Sequence, residues 1–105
     1  MSKEIITYYT YFLVKPITVN DRIIKRVDIS SHCDKHLKHG ITHELVIELV
    51  KELDKGDFEA IGYDGKKLYF KRYYYDLENK NYKLVWWWWI DKNDYILYIR
   101  TCHPI

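Results

Sequence analysis

Glutamine is absent from this chain, and alanine and methionine occur once each, as Ala60 and Met1. Few thermolabile residues beside abundant Lys, Ile and Glu is a thermophile's composition, although an AT-rich genome yields much the same one. No apolar run reaches the roughly 18 residues that a spanning helix needs, so no membrane partner is expected. No signal-peptide pattern follows Met1, and the expected location is the cytoplasm. Cysteine is limited to Cys33 and Cys102; in a cytosolic chain both read as buried thiols, with pairing left open. Excess charge of one sign is also missing. The 17 basic and 15 acidic residues leave a formal +2, which excludes binding nucleic acid by charge alone. There is no Walker loop, GxGxxG or GxSxG. Nor is there a usable Ser/His/Asp order or a pair of sheet carboxylates, which argues against glycosidase and two-metal chemistry.

What is present is aromatic. The 105 residues hold 11 Tyr, 4 Trp and 3 Phe. They suffice for one domain spanning 1–105, with 48% apolar and 30% charged residues in an ordinary globular balance. Buried aromatics stabilise a small core, and exposed ones make platforms for bases.

β-Branched and aromatic runs predict strands at 4–14 and 22–29, separated by Pro16 and an Asn20-Asp21 turn. Ser30-Ser31 with Asp34 predicts a short helix to His39, closed by Gly40. Thr42 predicts the cap of a second helix over about 43–55, with Leu45, Val46, Leu49, Val50 and Leu53 as its apolar stripe. Further strands are expected at 58–63, 67–75, 82–90 and 95–103, with turns at Asp64-Gly65, Asp76–Asn81 and Asp91–Asp94. The expected fold class is α+β: two helices packed on an antiparallel sheet of at least four strands, with an extra N-terminal strand or hairpin.

Strand alternation divides the aromatics between two faces. Lys67, Tyr69, Lys71, Tyr73 and Tyr75 share one side. In the last strand, Ile96, Tyr98, Arg100 and Cys102 oppose Leu97, Ile99, Thr101 and His103. A helix-free face carrying Tyr69, Lys71, Tyr73, Tyr98 and Arg100 suits stacked bases and phosphates; the same residues also suit a merely solvated antiparallel face. The run Trp86–Trp89 puts two indoles on each side. Trp87 and Trp89 are assigned to the open face because Lys83 shares it, and a one-residue register slip reverses this. A homodimer covering the aromatic face explains the tryptophan run equally well.

His32, His36 and His39 are spaced four and three apart, so an α-helix lines them in one stripe beside Lys35. Such a stripe supplies a general base, a general acid or metal ligands, or is simply solvated. A zinc site would combine His32 and His36 with Cys33, Cys102 or His103. Adjacent Cys33 and His32 reach one ion poorly and no CxxC is present, so no metal or cofactor is expected. At the chain end, Arg100 can grip a phosphate and His103 can move protons.

The run from His32 to Leu53, H-C-D-K-H-L-K-H-G-I-T-H-E-L-V-I-E-L-V-K-E-L, resembles the K-H-G-I-S segment and following amphipathic helix of BrnT-type toxins, and the histidine, basic helix and Gly-Ile-Thr junction of related uncharacterised families. Tyr82–Trp86 and Ile99–Thr101 also resemble those proteins and the wider RelE-like group of small ribonucleases; the resemblance covers about 22–103. It implies metal-independent endoribonuclease chemistry, in which the ribose 2′-hydroxyl attacks the adjacent phosphate. The helix histidine would be His32, with His36 as the other candidate base or acid, Lys35 and Lys38 beside them and Arg100 and Thr101 as the last-strand polar pair; His103, from its residue type, completes the catalytic set. RNA contacts would fall to Tyr69, Lys71, Tyr73, Lys83, Trp87, Trp89 and Tyr98. The implied partners are RNA, including ribosome-bound message, and an antitoxin protein. The alternative is a non-enzymatic module that binds single-stranded nucleic acid or a protein through the same face. The strand before residue 22 and the four-tryptophan run depart from the family pattern.

Overall fold

The computed structural model describes residues 6–77 and 79–105, apart from the side chains of 36–39, 76 and 77. Strands β1 (Tyr8–Val19) and β2 (Arg22–Ser30) are followed by a 3-10 helix (Ser31–His39) and helix α1 (His43–Lys51). Then come β3 (Gly62–Asp64), β4 (Lys67–Leu77), β5 (Lys80–Trp89) and β6 (Ile96–Pro104). They form one six-stranded sheet in the order β1-β2-β6-β5-β4-β3. Every pair is antiparallel except β2 with β6, which run parallel.

The two-helix antiparallel architecture expected from the sequence is therefore corrected. The described residues contain a single α-helix, and the sheet is mixed. Residues 31–39 form a 3-10 helix because two requirements of an α-helix fail there. The Ser31 hydroxyl, expected to cap, instead accepts the Thr7 amide at 3.1 Å. Among the described side chains of the segment only Cys33 is buried, whereas a buried apolar stripe is the main source of helix stability in a domain. Helix α1 has both. Thr42 accepts the Leu45 amide at 3.1 Å, and Val46, Leu49 and Val50 are buried. The sheet closes the other end of α1: Tyr74 donates to the Leu49 carbonyl at 2.6 Å and Arg72 to that of Glu52 at 2.8 Å.

The strand expected at 58–63 shrinks to Gly62–Asp64. The Asn20 side chain accepts the Phe58 amide at 2.7 Å and donates to its carbonyl at 2.9 Å. The Phe58 backbone is thus held by a side chain instead of a sheet ladder, while its ring meets Trp86 edge-on at 5.2 Å. Asn20 and Asp21, with φ of 50° and 61°, make the two-residue turn between paired Val19 and Arg22. This backbone suits the right-handed twist of the strands it joins.

The core lies between α1 and one sheet face. Trp86 and Phe70 stack at 5.7 Å, Trp88 meets Phe70 at 4.5 Å, and Leu84, Leu97, Ile99 and Cys102 complete the layer. Among the described residues, the other face carries no α-helix. Two bulges decide which residues reach it. In β2, the amides of Lys25 and Arg26 both donate to the Tyr95 carbonyl, so Ile24 and Val27 are both buried although three residues apart. In β6, Val85 pairs with Thr101 and Trp86 with Ile99, leaving Arg100 as the extra residue. A bulge turns the residues beyond it to the opposite side.

Candidate nucleic-acid interface

The β6 bulge assembles the site. Regular alternation would put Thr101 and His103 with Leu97 and Ile99, and Cys102 with Tyr98. The bulge reverses this: Cys102 is fully buried in the core, and Thr101 and His103 pair with Val85 and Lys83 on the helix-free side. Arg100 points the same way, its guanidinium 5.7 Å from the Tyr69 ring centroid. The 3-10 helix supplies the rest. Its three-residue turn aligns His32 with Lys35. Together His32, Lys35, Arg100, Thr101 and His103 line a shallow depression of about 410 Å³.

Among the described residues, no carboxylate lines this depression. Burial, then Lys83 and Lys35, lower the His103 imidazole from the ordinary histidine value, which favours the neutral ring that can accept a proton. The arrangement attracts an anion through Arg100 and Lys35 and adds a hydroxyl and two imidazoles within reach of it. Cys33 and Cys102 are buried on the other side of the sheet, so the zinc-type set considered from the sequence is split between two faces. Burial raises both thiols, to about 11 and about 12 respectively.

The aromatic face adjoins the depression, but its rings are not equivalent. Trp87 is only 4% exposed. Tyr98 stacks on it at 4.1 Å and 8°, and Lys67 sits 4.6 Å from its centroid. Trp89 meets Trp87 edge-on at 5.1 Å, with Lys92 5.2 Å from its centroid. Tyr69 lies half-buried beneath Arg100. These rings pack against one another and against lysine stems, which keeps the uncovered face dry without a second layer. Comparison with family models, with curated proteins and with solved structures gives no match for this chain.

The exposed platform is Tyr73 with Tyr75, stacked on each other at 6.2 Å and flanked by Lys71 and Lys83 at 5.4 and 5.7 Å from the Tyr73 centroid. Asp28 marks the opposite end of the face. It is buried and satisfied by two Arg26 bonds at 2.8 Å and by Thr10 at 2.9 Å. The side chains of His36 and Lys38 lie outside the described residues. Sequence reasoning did not single out His43, Tyr11 and Asp34, which hydrogen-bond to one another on the α1 side. Nothing in the sequence spacing pairs His43 with a tyrosine 32 residues earlier.

Proposed function

We propose that this protein binds single-stranded RNA across the helix-free face, seating a phosphate in the depression and stacking bases on Tyr73 and Tyr75. The observation that carries the reading is a depression lined, among the described residues, by Arg100, Lys35 and no carboxylate, next to an exposed tyrosine pair flanked by lysines. Anisotropy titration of a labelled oligoribonucleotide tests it. Arg100→Ala is expected to weaken binding by about tenfold or more, as loss of a charge-assisted contact implies. Tyr75→Ala is expected to weaken it without altering the salt dependence. Affinity unchanged in both variants overturns the assignment.

The two imidazoles in one depression favour a second reading, RNA cleavage of the kind the toxin resemblance implies. His103, neutral, takes the proton of a ribose 2′-hydroxyl, whose oxygen attacks the adjacent phosphorus. Arg100 and Lys35 hold the charge that develops on the phosphoryl oxygens. The 5′-oxygen leaves and takes a proton from a protonated His32, giving a 2′,3′-cyclic phosphate and a 5′-hydroxyl. No co-reactant is required. A 5′-labelled RNA should yield cyclic-phosphate ends, and its 2′-deoxy counterpart should stay intact. His103→Gln should slow cleavage by about a hundredfold or more. RNA left whole by the wild-type protein removes this reading and leaves the binding one.

A further inference from the structure

A second chemical cluster sits across the sheet from the RNA-facing depression. Alternation in β1 sends Tyr9 and Tyr11 toward α1, whereas Thr10 reaches Asp28 on the other side. His43, the first residue of α1, lies between them. Its Nε2 is 3.3 Å from Asp34 Oδ1 and its Nδ1 is 2.6 Å from the Tyr11 hydroxyl. A carboxylate only accepts, so Nε2 carries the proton, and in the neutral ring Nδ1 accepts from Tyr11. The rings of Tyr9 and Tyr11 hold the imidazole at 4.8 and 5.5 Å between centroids. The second Asp34 oxygen accepts the Tyr9 hydroxyl at 3.0 Å. That bond raises the Tyr9 phenol above the usual tyrosine value, so Tyr9 stays protonated and only Tyr11 faces the basic nitrogen.

This order, hydroxyl to imidazole to carboxylate, is that of an activated nucleophile with its base and orienting acid. Tyr11 and His43 open onto a depression of about 830 Å³ that is also lined by the half-buried Leu45 and Ile47 and the exposed Glu44 and Glu48. No lysine or arginine lines it among the described residues. Phosphates and carboxylates are therefore disfavoured, and an uncharged group can lie on the two aliphatic side chains. Burial does not block the attack, because Tyr11 is 36% exposed.

We propose that Tyr11 is a nucleophile toward uncharged carboxylic esters, with His43 as its base and Asp34 as the residue that positions the imidazole. The Tyr11 oxygen bonds to the ester carbonyl carbon as its proton passes to His43 Nδ1. The carbon–alkoxy bond then breaks, and the leaving oxygen takes that proton from His43, giving an acyl-tyrosine and an alcohol. Water activated by the same imidazole hydrolyses the acyl-tyrosine, returning the phenol and releasing the acid.

The test uses the full chain with p-nitrophenyl acetate. Nitrophenol release and peptide mapping of the acetylated protein are followed together, with a thermal melt of each variant. The expected result is a burst near one equivalent, with the acetyl group on Tyr11 ahead of the other tyrosines. Tyr11→Phe keeps the ring against His43 and should abolish the burst. His43→Gln should slow it by about a hundredfold, and Asp34→Asn should slow it less while leaving the acetylated residue the same. Acetylation spread over lysines and exposed tyrosines with Tyr11 no faster overturns the proposal. So does a burst that survives Tyr11→Phe, or a wild-type rate in a normally melting His43→Gln.

Discussion

Arg100 does two jobs in the account: it is the extra residue of the β6 bulge, and it supplies the guanidinium beside Tyr69. Lysine at this position keeps the charge but loses the planar fork that bonds a phosphate twice. Arg100→Lys is therefore expected to retain part of the RNA affinity that Arg100→Ala loses, which the same anisotropy titration checks. The two cysteines give an independent test of which way β6 faces. Cys33 and Cys102 are buried, with burial pushing their thiols up to about 11 and about 12. Since the thiolate is the reactive form, iodoacetamide at mildly alkaline pH should leave both unmodified in the native protein and modify both once it is unfolded. Rapid native alkylation of Cys102 would put it on the open face and remove the bulge. Alternation correctly separated Tyr69, Lys71 and Tyr73 from Phe70 and Leu68. It failed for Thr101, Cys102 and His103 because an inserted residue leaves no trace in a period of two. The functional grouping of Arg100 with Thr101 and His103 rests in the sequence on the toxin resemblance and on residue type, without the geometry that joins them.

At the scale of elements, the bulge and the helix cap make separable predictions. Deleting Arg100 should let β6 pair regularly with β5, with Cys102 still inward and Thr101 and His103 still outward. Such a variant should melt cooperatively and keep Cys102 protected, yet bind RNA weakly. Deleting Tyr98 instead shifts Leu97 relative to the bulge and removes the stack on Trp87, and should lower the melting temperature much more. Thr42→Ala should cost about 1 kcal/mol by freeing the Leu45 amide, measurable by urea denaturation. Helix α1 was legible because its cap and apolar stripe coincide in the sequence. The 3-10 helix was not, because the Ser31 hydroxyl is claimed by Thr7, 24 residues away, a contact that no local pattern announces. The parallel pairing of β2 with β6 was hidden for the same reason: it joins strands separated by every other element except β1.

Across the whole molecule, a formal charge of +2 means that RNA affinity must come from local cations and stacking. Three phosphate contacts, from Lys71, Lys83 and Arg100, give a log-log salt slope of about −2 on a single strand. Lys71→Ala should reduce that slope by about 0.7. Binding should also tighten as the pH falls from about 7.5 to about 5.5, through the histidine range. The bound phosphate favours the charged His103 that burial and the two lysines disfavour in the free protein, and by linkage protonation favours the phosphate equally. His103→Gln should show a smaller pH effect. No described helix is long and apolar enough to cross a membrane.

The most direct test is an amide chemical-shift map of the ¹⁵N-labelled protein titrated at low salt with a short single-stranded oligoribonucleotide. The account predicts that the largest changes fall on Lys71, Tyr73, Tyr75 and Lys83 and on Arg100 to His103, with residues 32 to 35 following. The outward stripe of α1 should stay unperturbed. Changes concentrated on α1 and β1, or a spectrum that does not respond to RNA, would contradict it.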